Sequence, residues 1–457
     1  MRIFNLIQKN NWPLYAATAT LLISITIPAY HLLQGTGGIF SLPRDEAFLQ
    51  LSTARNLAFR QTWGISRYYF EAASPSLLYP LALAIPFFLF GPHLVLVVLA
   101  NTLTALLLLT YVHRWLVTKG IQPLTRLCIL LMLILLPPLP LMIMYGMERT
   151  LLLFFAFLFI SRMSDEWRAA SFSRMTLIYG ALMVATGYES LLVVAIVCML
   201  LLLQRRWYLA FELGLWAILP VLIFGFIALR KGGYFLPDPY ISAIGSQFDA
   251  DWLIGCGVAT TPIRLSRYMT QTKKGTRQWV IALGGIFIIM LFSWNVHAMR
   301  ELDRNSLGIH KQEYMVGQFL HRYYNRKSIL TDDAGMLSYM TEGIFIDLSG
   351  QASAKILRHR SDSLFGPGLI RLLNDPGIEI AVVSDKYEYT IPDDWAKVAS
   401  WQIPGYGLTT EKTIVFYITE PKYAHFMKQF LEEYSYFLPH DVIVRYFYNP
   451  PPKLPTE

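Results

Sequence analysis

An acidic pair, Asp45-Glu46, follows the first hydrophobic segment of this 457-residue chain, and no Asp or Glu precedes it. The segment before it is long enough to cross a membrane. Carboxylates next to hydrocarbon are costly and are often functional. Glu148 and Glu189 are two further acids that stand isolated in apolar sequence. This arrangement predicts a membrane protein whose acidic active site faces away from the cytoplasm.

The composition divides the chain into two parts. It is 54% hydrophobic and 15% charged, so it is more apolar and less charged than an ordinary soluble domain. Only nine of its 31 acidic residues lie before Ile241. We predict a polytopic α-helical membrane domain over residues 1–294 and a soluble α/β domain over residues 295–457. The net charge of +8 suits contact with anionic lipid, and because the basic residues lie between apolar segments we expect no nucleic acid partner.

The apolar segments set the expected order of helices. Residues 14–33 follow Arg2 and Lys9 without a small-residue cleavage site, which predicts an uncleaved first span with a cytoplasmic N-terminus. The first extracytoplasmic loop is then 34–76, and residues 45–60 predict an amphipathic helix on the outer surface. A proline run at 137–140 predicts a broken helix. The further apolar segments are 77–90, 94–116, 127–145, 151–160, 177–185, 191–203, 211–229 and 280–294.

The tail alternates between short apolar runs and helical patterns, which predicts a small α/β domain. Strands are expected at 328–331, 344–348, 378–383 and 413–418, and helices at 314–324, 364–373 and 422–434. Asp332 and Asp333 are expected to cap a helix at 334–340. Span counting places residue 295 in the cytoplasm, whereas one more crossing near 252–263 would place the tail outside. We expect it outside. Four aromatic residues, Tyr387, Tyr389, Trp395 and Trp401, are expected to be exposed and available to sugar rings, and core packing is an equally good explanation for them.

Several blocks of sequence together resemble one enzyme superfamily. Residues 45–58 (DEAFLQLSTARNLA) are similar to the D-D-A-[FY]-I…R-Y-A-R-N-L segment of bacterial GT-C glycosyltransferases, and the group with the greatest resemblance is the arabinofuranosyltransferases. Other similar blocks follow in the same order at 73–79, 146–150, 187–190, 233–240, 330–339 and 346–350. Gly187 stands where the family carries an arginine, which removes a cation from that block.

The resemblance implies a GT-C-like membrane enzyme that takes a sugar from a polyprenyl-phosphate donor. The acceptor would be a glycan or glycolipid outside the bacterial cytoplasmic membrane. Such transfer needs a base near the acceptor hydroxyl and cations near the leaving phosphate. Asp45, assisted by Glu46, is the candidate base. The candidates for binding donor phosphate or sugar are Arg44, Arg55, Asn56, Arg67, Glu148, Arg149 and Glu189.

A divalent cation is a further possibility, because Asp45 and Glu148 could offer oxygen ligands to Mg²⁺ or Mn²⁺. Each acid also has a simpler interpretation. Asp45 could cap its own helix, Glu46 could favour the helix dipole, and Glu189 could be solvated at a turn. The three cysteines have no metal or redox spacing, and we interpret them as buried thiols.

Two other function classes compete with the enzyme. A transporter or lipid flippase would carry internal repeats and midplane charges in broken helices, whereas this sequence shows no repeat and places its acids at one face. A membrane scaffold that presents the tail would tolerate loss of Asp45 and Glu148.

Overall fold

Ten helices of the described residues lie in the apolar part of the chain, before a short helix at Asp238–Ser242. The computed structural model describes residues 11–35, 38–136, 138–242, 307–359, 370, 377–405 and 411–448. Its N-terminal helices are α1 (Trp12–Gly35), α2 (Asp45–Arg60), α3 (Leu78–Phe90), α4 (Leu94–Thr118), α5 (Pro123–Leu135), α6 (Leu139–Tyr145), α7 (Arg149–Glu166), α8 (Arg174–Thr186), α9 (Leu191–Leu203) and α10 (Trp207–Arg230), followed by the short α11 (Asp238–Ser242).

Four of these segments are long and apolar enough to cross a membrane. They are Trp12–Gln34, Leu94–Thr118, Pro123–Tyr145 and Trp207–Arg230. The third consists of α5 and α6, which are separate helices on either side of the proline run, as the loss of backbone donors at proline requires. The chain is therefore a mostly helical membrane protein. The predicted segment at 280–294 and the domain boundary at 294/295 lie outside the described residues.

Helix α2 differs from its expected setting. The sequence predicted an amphipathic helix lying on the outer surface, and the helix itself spans Asp45–Arg60 as expected. However, ten consecutive residues from Ala47 to Asn56 are buried. The surface placement was wrong because both faces of α2 find packing partners, α3 on one side and the C-terminal domain on the other. Its polar residues, such as Gln50 and Asn56, are buried with hydrogen-bond partners.

The C-terminal part is a six-stranded sheet with helices. Its strands are β1 (Ser328–Thr331), β2 (Ile344–Asp347), β3 (Ile380–Ser384), β4 (Ala396–Ile403), β5 (Lys412–Ile418) and β6 (Ile443–Tyr446). The order is β2-β1-β3-β5-β4-β6, with β1 parallel to both β2 and β3 and the remaining pairs antiparallel. The helices of this part are a π-helical turn at His310–Tyr314, then α12 (Met315–Tyr323), α13 (Ala334–Met340), α14 (Ala354–His359) and α15 (Ala424–Ser435).

The α/β prediction is confirmed for this part, with two strands that the sequence reading missed. Strands β4 and β6 were not predicted, because their apolar residues are interrupted by Lys397, Gln402 and Arg445. The predicted helix at 364–373 falls almost wholly outside the described residues. The expectation that Trp401 is exposed was wrong: it lies fully buried among Phe319, Phe416 and Tyr434 in an aromatic core.

Candidate active site at the start of helix α2

Helices α2 and α13 lie side by side and run in the same direction. Asp45, at the start of α2, contacts the start of α13. Ser52 Oγ and Ser338 Oγ are 2.9 Å apart in the middle. At the far end, Arg55 donates to the carbonyl oxygens of Tyr339 and Thr341. Opposite charges therefore lie at the two ends of α13, each at the end that the helix dipole favours.

Asp45 caps α13 rather than its own helix. Its Oδ2 accepts a hydrogen bond from the backbone N–H of Gly335 at 3.0 Å, and its Oδ1 accepts one from Met336 at 2.6 Å. The residue before α2, Arg44, makes no side-chain cap, and neither does Asp333 before α13. The sequence assigned the capping of α13 to Asp332 and Asp333, and that assignment was wrong.

The two tail aspartates have other partners. Asp332 accepts hydrogen bonds from the backbone and hydroxyl of Ser384, and Asp333 forms an ion pair with Lys412. They lie at the carboxyl ends of parallel strands β1 and β3, and both are therefore occupied within the C-terminal domain.

Glycine at position 335 is required by this contact. A Cβ built on Gly335 would lie 2.3 Å from the backbone oxygen of Asp45 and 2.4 Å from its carboxylate. No real Cβ tolerates such distances, so α13 approaches Asp45 closely only because residue 335 has no side chain.

A buried acid from the C-terminal domain completes the surroundings of Asp45. Glu313 is hydrogen-bonded to the Asp45 side chain. Burial raises the pKa of Glu313 well above its usual range, and the nearby Asp45 carboxylate raises it further. The raised pKa favours the neutral carboxyl form of Glu313, because two ionised carboxylates would repel each other there. Sequence reasoning missed Glu313, since nothing local marks it as a partner of a residue 268 positions earlier.

Glu46 is half-buried beside the contact between Asp45 and Glu313, and its hydrogen bonding differs from that of Asp45. No hydrogen bond to its carboxylate is found within the described part of the chain. Glu46 and Gln50 are four residues apart on α2, so their side chains share one face of the helix. Gln50 donates a hydrogen bond to Glu148 Oε2 at 2.5 Å. The face of α2 that carries Glu46 is therefore the face that meets Glu148.

Glu148 is held by a turn that the sequence specifies. Gly146 has φ +70°, and a Cβ there would lie 2.6 Å from the Leu42 side chain. Tyr79 donates from its hydroxyl to the Gly146 carbonyl at 2.9 Å, and Asn101 donates to the Met147 carbonyl at 3.3 Å. The chain between α6 and α7 is thus fixed from two neighbouring helices.

Glu148 and Glu189 belong to one electrostatic group. Burial raises the pKa of Glu148, and the Glu189 carboxylate raises it further, while Arg149 partly offsets both. Glu189 accepts a hydrogen bond from the Tyr240 hydroxyl, and the rings of Tyr188 and Tyr240 stack at 5.5 Å. The sequence predicted a common role for Glu148 and Glu189 but missed Gln50 and Tyr240, because each is one polar residue in an unremarkable context.

The predicted donor-binding residues other than the acids, four arginines and Asn56, separate into two groups by their position. Arg149 adjoins Glu148, and Arg44 lies over the Tyr145 ring at 5.1 Å, so both remain near the acids. Arg55 is buried against the end of α13, and burial lowers its pKa to about 10. Arg67 pairs with Glu342 at 2.8 Å. Asn56 donates to the carbonyl oxygens of the loop at 64–66.

A divalent metal does not fit the arrangement of Asp45 and Glu148. Both oxygens of Asp45 accept backbone N–H groups, and Glu148 accepts the Gln50 amide. Among the described residues, no group of three or more His, Cys, Asp or Glu side chains could hold a metal ion. No step of the reaction is therefore assigned to a metal, and a Mg²⁺ or Mn²⁺ ion shared by Asp45 and Glu148, which the sequence offered as one possibility, stays a prediction.

A second acidic group lies where the first loop meets the C-terminal domain. Glu71 accepts hydrogen bonds from the backbone of Ile65 and Ser66, and burial raises its pKa to about 8. Burial likewise raises the pKa of Asp238 to about 7 and that of Asp347 to about 6. The Asp347 carboxylate raises the pKa of Asp238 further, and the Asp45 carboxylate raises that of Asp347. Among the residues that the structure describes, neither oxygen of Asp238 has a hydrogen-bond partner.

Comparison with known proteins gives one match. Residues 302–425 match the family model described as Domain of unknown function (DUF8728). This match covers the C-terminal domain from before the π-helical turn to the start of α15, and so includes Glu313 and Gly335. No curated protein and no solved structure matches the chain.

Proposed function

We propose that this protein is an integral-membrane glycosyltransferase of the GT-C type. It moves a sugar from a polyprenyl-phosphate donor to a glycan or glycolipid acceptor at the extracytoplasmic face of a bacterial cytoplasmic membrane. The observation that carries the proposal is the contact between Gln50 and Glu148, because it joins the start of α2 to the Glu148–Glu189 group. Through this contact, Glu148 meets the face of α2 that carries Glu46, although the two acids are about 100 residues apart in the sequence.

The reaction divides the acids by their surroundings. The acceptor hydroxyl loses its proton to a carboxylate, its oxygen bonds to the anomeric carbon, and the bond from that carbon to the phosphate oxygen breaks. Glu46 is the member of the Asp45-Glu46 pair whose carboxylate accepts no hydrogen bond from any described residue, and we assign it the role of base. Asp45, which accepts two N–H groups, fixes the start of α2. Glu148 and Glu189 bind sugar hydroxyls. Burial raises the pKa of Glu148, which suits its carboxyl group to donate a hydrogen bond, and Glu189 is assigned the same role because it lies beside Glu148.

The leaving phosphate needs a cation. Arg149 and Arg44 are the two predicted guanidiniums near the acids, and guanidinium groups match phosphate oxygens geometrically. Arg55 and Arg67 are excluded from this role, because their side chains are engaged toward the other end of α2.

Release of polyprenyl phosphate tests the proposal. The purified full-length chain is incubated with a panel of polyprenyl-phosphate pentoses and hexoses and with crude envelope glycolipid as acceptor. We expect Glu46→Gln to lower turnover by about 10²- to 10⁴-fold, the usual contribution of a general base. Glu388→Gln is the matched control, since Glu388 pairs with Lys397 within the C-terminal domain. Undiminished turnover by Glu46→Gln would remove the base assignment, and a wild-type chain inert with every donor would favour a transporter or scaffold.

A further inference from the structure

Three arginines surround one carboxylate at the far end of α2. Glu342 pairs with Arg60 at 2.6 Å, with Arg67 at 2.8 Å and with Arg326 at 3.1 Å. Arg60 ends α2, Arg67 belongs to the loop that follows, and Arg326 and Glu342 belong to the C-terminal domain. One carboxylate neutralises one guanidinium, so this arginine cluster keeps a charge of about +2. All four side chains are partly exposed, from 18% for Arg60 to 67% for Arg326.

The arginine cluster is too far from the acids to hold the sugar donor. Asp45 and Arg60 begin and end α2, which separates them by about 22 Å along the helix axis. The phosphate of a sugar donor is bonded to the reacting carbon, which must lie within about 3.5 Å of the attacking oxygen. A phosphate at the arginine cluster therefore belongs to a different molecule.

The loop that carries Arg67 lies at the end of a membrane-crossing helix. Trp63 and Phe70 pack on Phe224, which lies six residues before the end of α10, with ring centroids 5.3 and 6.2 Å away. Tyr68 and Tyr69 are exposed, and Arg67 lies over the Tyr68 ring at 5.3 Å. Exposed tyrosines at the end of a span are typical of the headgroup level of a bilayer.

We propose that the arginine cluster binds the phosphate of an anionic phospholipid headgroup and seats the C-terminal domain on the membrane surface. Two arginines come from the membrane part and one from the C-terminal domain, so a bound phosphate bridges both parts. Guanidinium groups pair with phosphate oxygens bidentately, and the tyrosines provide the apolar contact for the lipid's glycerol region. Glu342 holds the three guanidiniums together while it competes with phosphate for them.

Native mass spectrometry of the purified full-length chain tests this site, with phosphatidylglycerol, phosphatidylcholine and polyprenyl phosphate added separately. We expect phosphatidylglycerol to bind more tightly than phosphatidylcholine, and each arginine-to-glutamine change in the cluster to weaken it about fivefold. Arg445→Gln is the matched control, because Arg445 lies on β6, at the opposite edge of the sheet from β2. It should leave phosphatidylglycerol binding unchanged.

Glu342→Gln separates a lipid site from a salt bridge. Removal of the competing carboxylate should tighten phosphatidylglycerol binding if the arginines bind lipid. Weaker binding by Glu342→Gln, equal binding of the two phospholipids, or a cluster selective for polyprenyl phosphate would each overturn the proposal. If the changes at Arg60 and Arg67 prevent folding, the single change at Arg326, the most exposed of the three arginines, still tests the site. The assay contains no sugar donor, so its failure is distinct from failure of the transferase proposal.

Discussion

The two ends of α2 carry opposite kinds of site on one 16-residue helix. At its start, Asp45 is engaged by backbone N–H groups, while the Glu46 carboxylate accepts no hydrogen bond from the described residues and lies on the face of α2 whose Gln50 contacts Glu148. At its end, Asn56 and Arg55 are buried and hydrogen-bonded to surrounding carbonyl oxygens. Buried polar groups are normally satisfied in this way. The comparison shows that residue type alone does not identify a reactive group. The sequence made both the acids and the arginines of α2 candidate site residues, and only the partners observed in the structure distinguish those with a structural role from the others.

The largest effect on stability is expected from Gly335→Ala, which disrupts the contact between Asp45 and the start of α13. The new Cβ would overlap the Asp45 backbone, so α13 must move away and the Asp45 cap is lost. We expect a loss of at least about 3 kcal/mol in the free energy of unfolding, at the upper end of overpacking costs. Thermal unfolding in detergent measures it. Gly214→Ala is the control, because its Cβ would meet only Cys198 Sγ at 3.9 Å. Equal stability of the two variants would show that α13 does not depend on Asp45.

Asp45 itself should have the next largest effect. Asp45→Ala leaves the N–H groups of Gly335 and Met336 without acceptors and should cost about 2 kcal/mol. Asp45→Asn keeps one acceptor oxygen and should cost about 1 kcal/mol. Hydrogen exchange of residues 334–340 reports the change directly. If Asp45→Asn abolishes sugar transfer while protection of α13 is kept, Asp45 rather than Glu46 is the base, and the division proposed for this end of α2 is wrong.

The fold could largely be anticipated from the sequence, whereas the partners of the site residues could not. The lengths of the apolar segments predict α1 and α4, and the prolines predict the broken segment at 123–145, because both signals can be read from a short stretch of sequence. Strands β1 and β5 were likewise visible as apolar runs. The burial of α2 was not, because its polar residues suit a solvated helix equally well. The choice between a buried and a solvated helix depends on α13, which lies some 290 residues later in the chain.

The acidic group formed by Glu71, Asp238 and Asp347 predicts a pH dependence. Glu71, Asp238 and Asp347 have folded-state pKa values of about 8, 7 and 6, all above the ordinary values. Their stabilising contribution is present below pH 4 and is lost as the pH rises through these values. We expect the free energy of unfolding to fall by about 1.4 kcal/mol or more between pH 5 and pH 9, which corresponds to one unit of pKa.

Asp238→Asn sharpens this test because it removes one of the three titrations. Asn cannot become charged, so the variant should be more stable than wild type at pH 9 and should lose less stability from pH 5 to pH 9. Thermal unfolding over that range measures both. A wild-type stability that rises with pH would show that these carboxylates are ionised in the folded state and are stabilised by groups other than those described.

The smallest effect is expected midway along α2, where Ser52 and Ser338 form a hydrogen bond between two buried side chains. A double-mutant cycle with Ser52→Ala and Ser338→Ala should give a coupling of about 0.5–1.5 kcal/mol, the net value of one such bond. Ser338 Oγ also donates a hydrogen bond to the Gly335 carbonyl. The single change Ser338→Ala therefore loses that bond as well, and the double-mutant cycle subtracts its contribution. Coupling within error of zero would place the attachment of α13 wholly at its two charged ends. A measurable coupling would instead show that α2 and α13 are also attached midway along their contact, between the Asp45 cap and the Arg55 hydrogen bonds.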